Sequence, residues 1–215
     1  MPTPRRQPAP ATRDPAQTRA RILAAAKAEF ARVGPGGARV DRIATLAGAN
    51  KRMLYYYFGS KDELFRAVLE AAYEHIRESE KALHLEAVDP AEAIRRLVAF
   101  TWNYYLAHPE FLSLLNSENL HRAEHLKEST RVRRMHSPFV AMIREILARG
   151  QRAGVFRDGV DAVQLYISIA GLGYFYLANN ATLSVIFGRD LKAPRARAAR
   201  LAHMTEIVLG YLRKD

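Results

Sequence analysis

RVDRIATLAGANKRMLYYYFGSKDE, residues 39–63, is the stretch whose reading decides the fold. Two short helical patterns meet in it at Ala47-Gly48-Ala49, a break with no room for bulky side chains. Val40, Ile43, Ala44 and Ala47 form the buried stripe of the first, which predicts a helix from about Val40 to Ala47. Leu54 and Phe58, at i,i+4, point the second inward, while Asn50 is placed to cap its start. Lys51, Arg52, Tyr55 and Tyr56 are then left for an outer face. Gly59 ends this helix, and Ser60 with Glu63 makes a capping box that opens a long fourth helix, expected from Lys61 to about Leu85. A helix N-terminus presents free N–H groups to phosphate, and lysine, arginine and asparagine reach phosphates or base edges in a major groove wide enough for a helix. Tyrosine adds a hydroxyl for phosphate and a ring for sugar or a thymine methyl. The stretch therefore reads as a DNA-reading helix-turn-helix.

Upstream, Asp14-Pro15-Ala16-Gln17 marks a helix start, with an acidic cap, proline at the first position and glutamine as the capping-box partner. Ile22, Ala26 and Phe30 follow at helical spacing, and Val33-Gly34-Pro35-Gly36-Gly37 predicts the stop. Residues 1–13 carry four prolines and little to bury, which predicts a flexible basic arm whose Arg5, Arg6 and Arg13 brush phosphates. Charge agrees with this reading. The chain has a net charge of +11, and residues 1–66 hold 13 Lys/Arg against 5 Asp/Glu, leaving 20 against 17 in the rest. Such an excess suits a polyanion-binding module, because neutralised phosphates release counterions.

With 215 residues, 49% of them hydrophobic, the chain can bury a sizeable core. It has no cysteine, which excludes disulfides, thiolate metal sites and a cysteine nucleophile. No run approaches the roughly 20 apolar residues of a membrane helix, and the N-terminus leads into no apolar signal core. A soluble cytoplasmic protein without a membrane partner is expected.

Downstream, every pattern is helical. Asp89-Pro90-Ala91-Glu92 starts a helix through Ile94, Leu97, Val98, Thr101, Trp102 and Tyr105 that His108-Pro109 breaks. A helix from about Pro109 holds Phe111, Leu112, Leu114 and Leu115; another is expected over 118–134, and Ser137-Pro138 is expected to begin the next, to Gly150. Asp161–Asn180 is apolar around much of its circumference, with Ala170, Gly171 and Gly173 allowing close helix approach. Arg195–Leu212 puts Leu201, Met204, Ile207, Val208 and Tyr211 on one stripe. A helix buried on most sides needs partners, so these last two helices predict a four-helix bundle with a second copy of the chain. Trp102, Tyr105, Phe111, Asn116, Asn119, Tyr166, Tyr174 and Phe175 supply aromatic walls and amides, the composition of a small-molecule pocket.

The run Ile43-Ala44-x-x-Ala47-Gly48-Ala49-Asn50-x-x-x-Leu54-Tyr55-x-Tyr57-Phe58-x-x-Lys61-x-x-Leu64 resembles the signature of the tetracycline-repressor family of one-component bacterial regulators. The resemblance is specific over roughly residues 15–70 and holds beyond them in layout. It implies an all-α fold with three parts: a basic arm over 1–13, a helix-turn-helix domain over 14–60, and an effector-binding and dimerisation domain over 61–215 joined through the long fourth helix. It further implies a homodimeric repressor that binds a pseudo-palindromic operator in double-stranded DNA and is released by a small-molecule effector, with no cofactor and no enzymatic activity. Asn50, Lys51, Tyr55, Tyr56, Tyr57 and Lys61 are the implied DNA contacts, with Arg52 the reader of a guanine. Two positions depart from the family pattern. Arg39 lies where a threonine or serine usually caps the second helix, so that a phosphate contact replaces the cap; Met53 lies where a small polar residue is common.

A competing motif is His121-Arg122-Ala123-Glu124-His125, which matches the H-x-x-E-H spacing that sets two imidazoles on one helix face around zinc with glutamate as base. Glu118 and His136 lie nearby in sequence. This motif defines the alternative reading, a zinc sensor or hydrolase built on His121, Glu124 and His125.

Overall fold

The computed structural model describes residues 14–214, and the arm expected over residues 1–13 lies outside the described residues. The chain divides into two compact units between Ala67 and Val68. Apart from one isolated bridge, Phe156 with Arg213, the described residues are helices and their connections.

The first unit is built on α1 (Pro15–Gly37), α2 (Val40–Leu46), α3 (Lys51–Phe58) and the opening of α4 (Lys61–Lys81). Asp14 caps α1 by accepting from the Ala16 amide at 2.9 Å, ahead of Pro15 at the first helical position. The expected stop takes the form of a kink: Gly34 has a φ of 68°, in the left-handed region that suits glycine, and one further helical turn follows Pro35 before the chain leaves at Ala38. Ile22, Ala26 and Phe30 are wholly buried together with Ile43, Leu54 and Leu64, and Phe30 meets Phe65 edge-on at 4.9 Å. Ser60 caps α4 by accepting from the Glu63 amide at 3.0 Å.

In the second unit the rest of α4 is followed by a 3-10 turn (Leu85–Ala87) and seven helices: α5 (Pro90–Ala107), α6 (Pro109–Leu120), α7 (Glu124–Lys127), α8 (Thr130–Arg152), α9 (Ala162–Ala178), α10 (Asn180–Phe187) and α11 (Pro194–Leu212). Asp89 accepts from both the Ala91 and Glu92 amides to start α5, which packs against α8, α9 and α11. Ile94, Leu97, Val98 and Trp102 of α5 close the core with Ile143, Ile146, Ile169, Met204 and Val208. Gly173 of α9 faces this core, where a Cβ would make ordinary contact with the Tyr105 ring at 3.4 Å and with Met204 at 3.5 Å.

Four expectations are corrected. α4 ends at Lys81 rather than near Leu85, because His84 turns into the left-handed region and Leu85 is drawn into the core. The single helix expected over 118–134 is broken, since Arg122 and Ala123 both adopt positive φ. α8 begins seven residues before Ser137, where Ser129 caps it by accepting from the Val132 amide; Pro138 sits inside the helix. There the side chains of His136 and Ser137 turn back onto the Val132 and Arg133 carbonyls, next to the rung that a proline cannot fill. α10 has no counterpart among the expected helices. It follows α9 after one residue, and Gly188 ends it at a φ of 58°.

Candidate nucleic-acid interface and effector cluster

α2 and α3 meet at the turn the sequence marked. Gly48 takes a φ of 58°, and Arg21 of α1 holds the turn by donating from Nε to the Ala47 carbonyl at 3.2 Å. Asn50 caps α3 by accepting from the Met53 amide at 2.9 Å, so its side-chain oxygen is already engaged. Leu54 and Phe58 are buried, which turns Lys51, Arg52, Tyr55 and Tyr56 outward; Tyr56 is 78% exposed. Tyr57 is half-buried and meets Tyr56 edge-on at 5.2 Å. Lys51 lies 3.3 Å from Asp41 of α2, an exposed pair that phosphate can displace at small cost. Lys61 donates to the Ala38 carbonyl at 3.5 Å, so it braces the entry to α2. Arg39 is exposed and makes no capping hydrogen bond to α2, since a guanidinium has no acceptor to offer the free amides.

Beneath this face lies a set that sequence reading missed. Glu29 is 2% exposed and accepts from Arg32 at 2.9–3.1 Å and from Arg42 at 2.9 Å, joining α1 to α2. The Arg32 hydrogen bonds hold its carboxyl below the usual range, against the opposing effect of burial and with Arg42 adding to them. The available signal was a glutamate one residue before Phe30, on the stripe that buries Ile22 and Ala26.

In the second unit, the eight residues expected to line a pocket are divided between the core, a cleft, a buried polar cluster and the surface. Trp102 is core, edge-on to Tyr176 at 5.6 Å. Tyr105 stacks on Phe111 at 6.1 Å. Tyr105 and Asn116 line a cleft of about 390 Å³ whose other groups include Asn180, Lys192 and Arg197, and the Tyr174 hydroxyl donates to the Asn116 side chain. Asn119 is exposed with its amide on the Leu115 carbonyl, and Phe175 is 59% exposed; both face away from a pocket because they fall on the outer stripes of α6 and α9. Tyr166 sits in the buried neighbourhood of Arg77, whose charge Tyr105 also feels. Its hydroxyl accepts from Arg77 at 3.2 Å, its ring meets Phe139 edge-on at 4.9 Å, and the Arg77 guanidinium lies 3.9 Å over Phe139.

Arg77 is the hub that the sequence did not single out. It pairs with Glu80 at 3.0 Å, with both side chains almost wholly buried. Burial pushes Glu80 up to about 8, only partly offset by Arg77. Burial likewise raises Tyr73 to about 12, lifts Tyr105 and Tyr166, and lowers His136. Tyr73 touches Phe111 at 5.6 Å and His136 at 5.3 Å, so phenols and a neutral imidazole surround one buried cation.

The zinc motif does not form. His121 closes α6 and the backbone reverses at Arg122 and Ala123, so His121, Glu124 and His125 do not share one helix face. Nδ1 of His121 bonds the Ser117 carbonyl, and Nδ1 of His125 bonds the buried Glu118 at 2.7 Å. Glu118 also accepts from the Leu126 amide, which makes it the clasp of the α6–α7 corner. Among the described residues no group of three or more His, Cys, Asp or Glu is arranged to hold a metal ion.

Comparison with known proteins bears on both units. Residues 22–68 match the model for bacterial regulatory proteins of the tetR family, and residues 90–208 match that for a tetracyclin repressor-like C-terminal domain. The HTH-type transcriptional repressor NicS of Pseudomonas putida is 42% identical over 198 residues, covering 92% of this chain and 93% of that protein. An HTH-type transcriptional repressor of Streptomyces coelicolor is 39% identical over 166 residues, 75% of this chain and 79% of its own. Among solved structures, one from Streptomyces coelicolor described as a transcriptional regulator aligns at a TM-score of 0.67 with 27% identity, covering 91% of this chain and 98% of that one. A regulator from Saccharomonospora viridis in complex with choline aligns at 0.69, over 93% of this chain and all of its own; its 21% identity speaks for the fold alone.

Proposed function

Because the chain belongs to the tetR family of bacterial regulatory proteins, we propose that it is a repressor that binds a pseudo-palindromic operator as a homodimer and is released by a small-molecule effector. The observation that carries the DNA half is the outward face of α3, where Lys51, Arg52, Tyr55 and Tyr56 stand exposed on a helix whose other side is locked into the core. The relatives from Pseudomonas putida and Streptomyces coelicolor are both named as repressors, which supports that sign of regulation, and a DNA-reading role supports a cytoplasmic location. Among the described residues no helix is long and apolar enough to cross a membrane.

The dimer reading rests on apolar exposure. Ile167 and Phe175 of α9 are 54% and 59% exposed, and Ile207 and Tyr211 of α11 are 41% and 49% exposed, a patch on two packed helices that a second copy would cover. The effector reading rests on the aromatic and buried polar groups around Arg77 and Tyr105. Light scattering on purified protein checks the first, and a monomer at micromolar concentration overturns it.

Gel-shift titration at several salt concentrations checks the DNA face. Lys51→Ala should weaken binding to all sequences and reduce the salt slope by about 0.9, the share of a single phosphate. Arg52→Ala should chiefly relax sequence preference, by about 1–3 kcal/mol at one base pair. Lys61→Ala is expected to combine a phosphate loss with loss of its Ala38 brace. Unchanged slopes for both lysine variants would remove the phosphate assignment.

A further inference from the structure

Beside Tyr105 the second unit opens the cleft of about 390 Å³, within the roughly 300–1,000 Å³ of sites for drug-sized ligands. Leu106, Leu112, Leu177 and Leu191 give it apolar walls. Its charge is one-sided. Lys192 and Arg197 line it and no aspartate or glutamate does; both are exposed residues without a carboxylate partner among the described residues. The carboxylates next to the lining in sequence are engaged elsewhere: Glu110 lies 3.3 Å from His108, and Asp190 accepts from the Lys192 backbone amide. The first turn of α11, next to Lys192, holds no acidic residue. The Tyr176 phenol, whose hydroxyl donates to the Leu191 carbonyl, is raised by burial, and among the charges it feels Arg200 and Arg197 outrank Asp190. The amides on the wall agree. Asn116 has its oxygen taken by the Tyr174 hydroxyl and is left with N–H donors, while Asn180 donates to the Leu177 carbonyl and has its oxygen buried.

We propose that this cleft takes a small organic anion, a carboxylate on an apolar body, with the carboxylate held by Lys192 and Arg197 and the body against the leucine walls. The proposal rests on the effector reading above and gives it a chemical class. Desolvation decides the sign of the charge. An apolar body that fills the cleft displaces water from around the two cations, and an opposite charge is what offsets that loss. A cationic ligand adds repulsion instead, and a neutral amide leaves both charges uncompensated. Geometry favours a carboxylate, because the arginine fork offers it two parallel N–H bonds and the lysine adds a third donor on a flexible stem. Access is open at both groups, since neither is buried and neither has to leave a carboxylate of the protein before it meets one on a ligand. The Asn116 amide supplies a further donor from α6.

The test is calorimetric titration of the full chain at neutral pH with 2-naphthoate, 2-naphthamide and 2-naphthamidine, which share one ring system and carry negative, neutral and positive charge. The carboxylate should bind, the amide should bind about tenfold more weakly or worse, and the amidine should not bind. The double variant K192Q/R197Q, which changes two exposed residues, should melt as the wild type does and lose 2-naphthoate by about tenfold or more. R195Q removes a neighbouring exposed charge that does not line the cleft, and it should keep the wild-type affinity. A wild type that does not bind 2-naphthoate, an amide or amidine that binds as tightly, or a double variant that binds the carboxylate as the wild type does would each overturn the proposal. An equal loss in R195Q would also overturn it, by showing a general effect of positive charge. Gel shifts on DNA that the protein selects from a random pool separate the two readings. Normal DNA binding with no 2-naphthoate binding overturns the site and leaves the regulator; 2-naphthoate binding with DNA affinity unchanged supports the site and removes its effector role.

Discussion

Glu29 in the first unit and Glu80 in the second are both 2% exposed and both face arginine, yet their surroundings differ in one respect. Glu29 is closed by hydrogen bonds from two guanidinium groups whose outer atoms remain in water, whereas Glu80 has none and faces an arginine as buried as itself. The first arrangement ties two helices together and lowers the carboxyl; the second leaves the carboxyl raised. The difference separates a closed brace from an ion pair left open. In the unit that must hold a rigid reading surface, buried charge fixes shape, and in the other it stays open.

The largest effect should come from cutting the brace. Glu29→Ala removes the acceptor of the Arg32 and Arg42 bonds, and without those charge-assisted hydrogen bonds the chain should be destabilised by about 2 kcal/mol in urea melts. Both arginines are 54% exposed and re-solvate, so no charge is stranded. R77M/E80M should move the other way or not at all. Equal destabilisation by the two variants would erase the distinction between them.

pH should divide them next, and with opposite sign. Glu29 is lowered from 4.5, so its stabilisation is present above that value and lost as pH falls below it. Glu80 is raised from 4.5 to about 8, so the folded state holds a proton the unfolded chain has released; stability is full below 4.5 and declines as pH rises toward 8. In melting temperatures taken across pH, Glu29→Gln should flatten the acid limb, and Glu80→Gln should flatten the decline between about 4.5 and 8. A wild-type profile without that decline would mean that Glu80 is ionised throughout and paired better than its geometry allows.

What the sequence revealed follows the same division. The helix-turn-helix was legible because its determinants are local: a cap at Asn50, a turn at Gly48, and an i,i+4 pair at Leu54 and Phe58. The caps at Asp14, Ser60 and Asp89 were legible for the same reason. Pro138 misled because a proline after serine reads as a start, and only the cap at Ser129 shows that the helix is already under way. Arg77 and Glu80 stayed hidden because an i,i+3 pair of opposite charge on a long helix ordinarily lies in solvent. Their burial is set by Phe139 and Tyr166, about 60 and 90 residues further along the chain, which no local pattern encodes. The aromatic set is divided because Trp102 fills the core and Phe175 falls on an outer face.

Arg39 offers the smallest and sharpest test, because there the first unit also carries a charge at a cost to its own helix. Its side chain leaves the first turn of α2 uncapped, where serine would accept from a free amide and add about 1 kcal/mol. Arg39→Ser should therefore raise the urea midpoint slightly, the reverse of Glu29→Ala at the other end of the α1–α2 brace. If the arginine is retained for phosphate, the same variant should lose DNA affinity at low salt and reduce the salt slope by about 0.9. A gain in stability with no change in slope would show that the missing cap serves no DNA contact, and the exposed phosphate-facing set would then begin at Lys51 rather than at the start of α2.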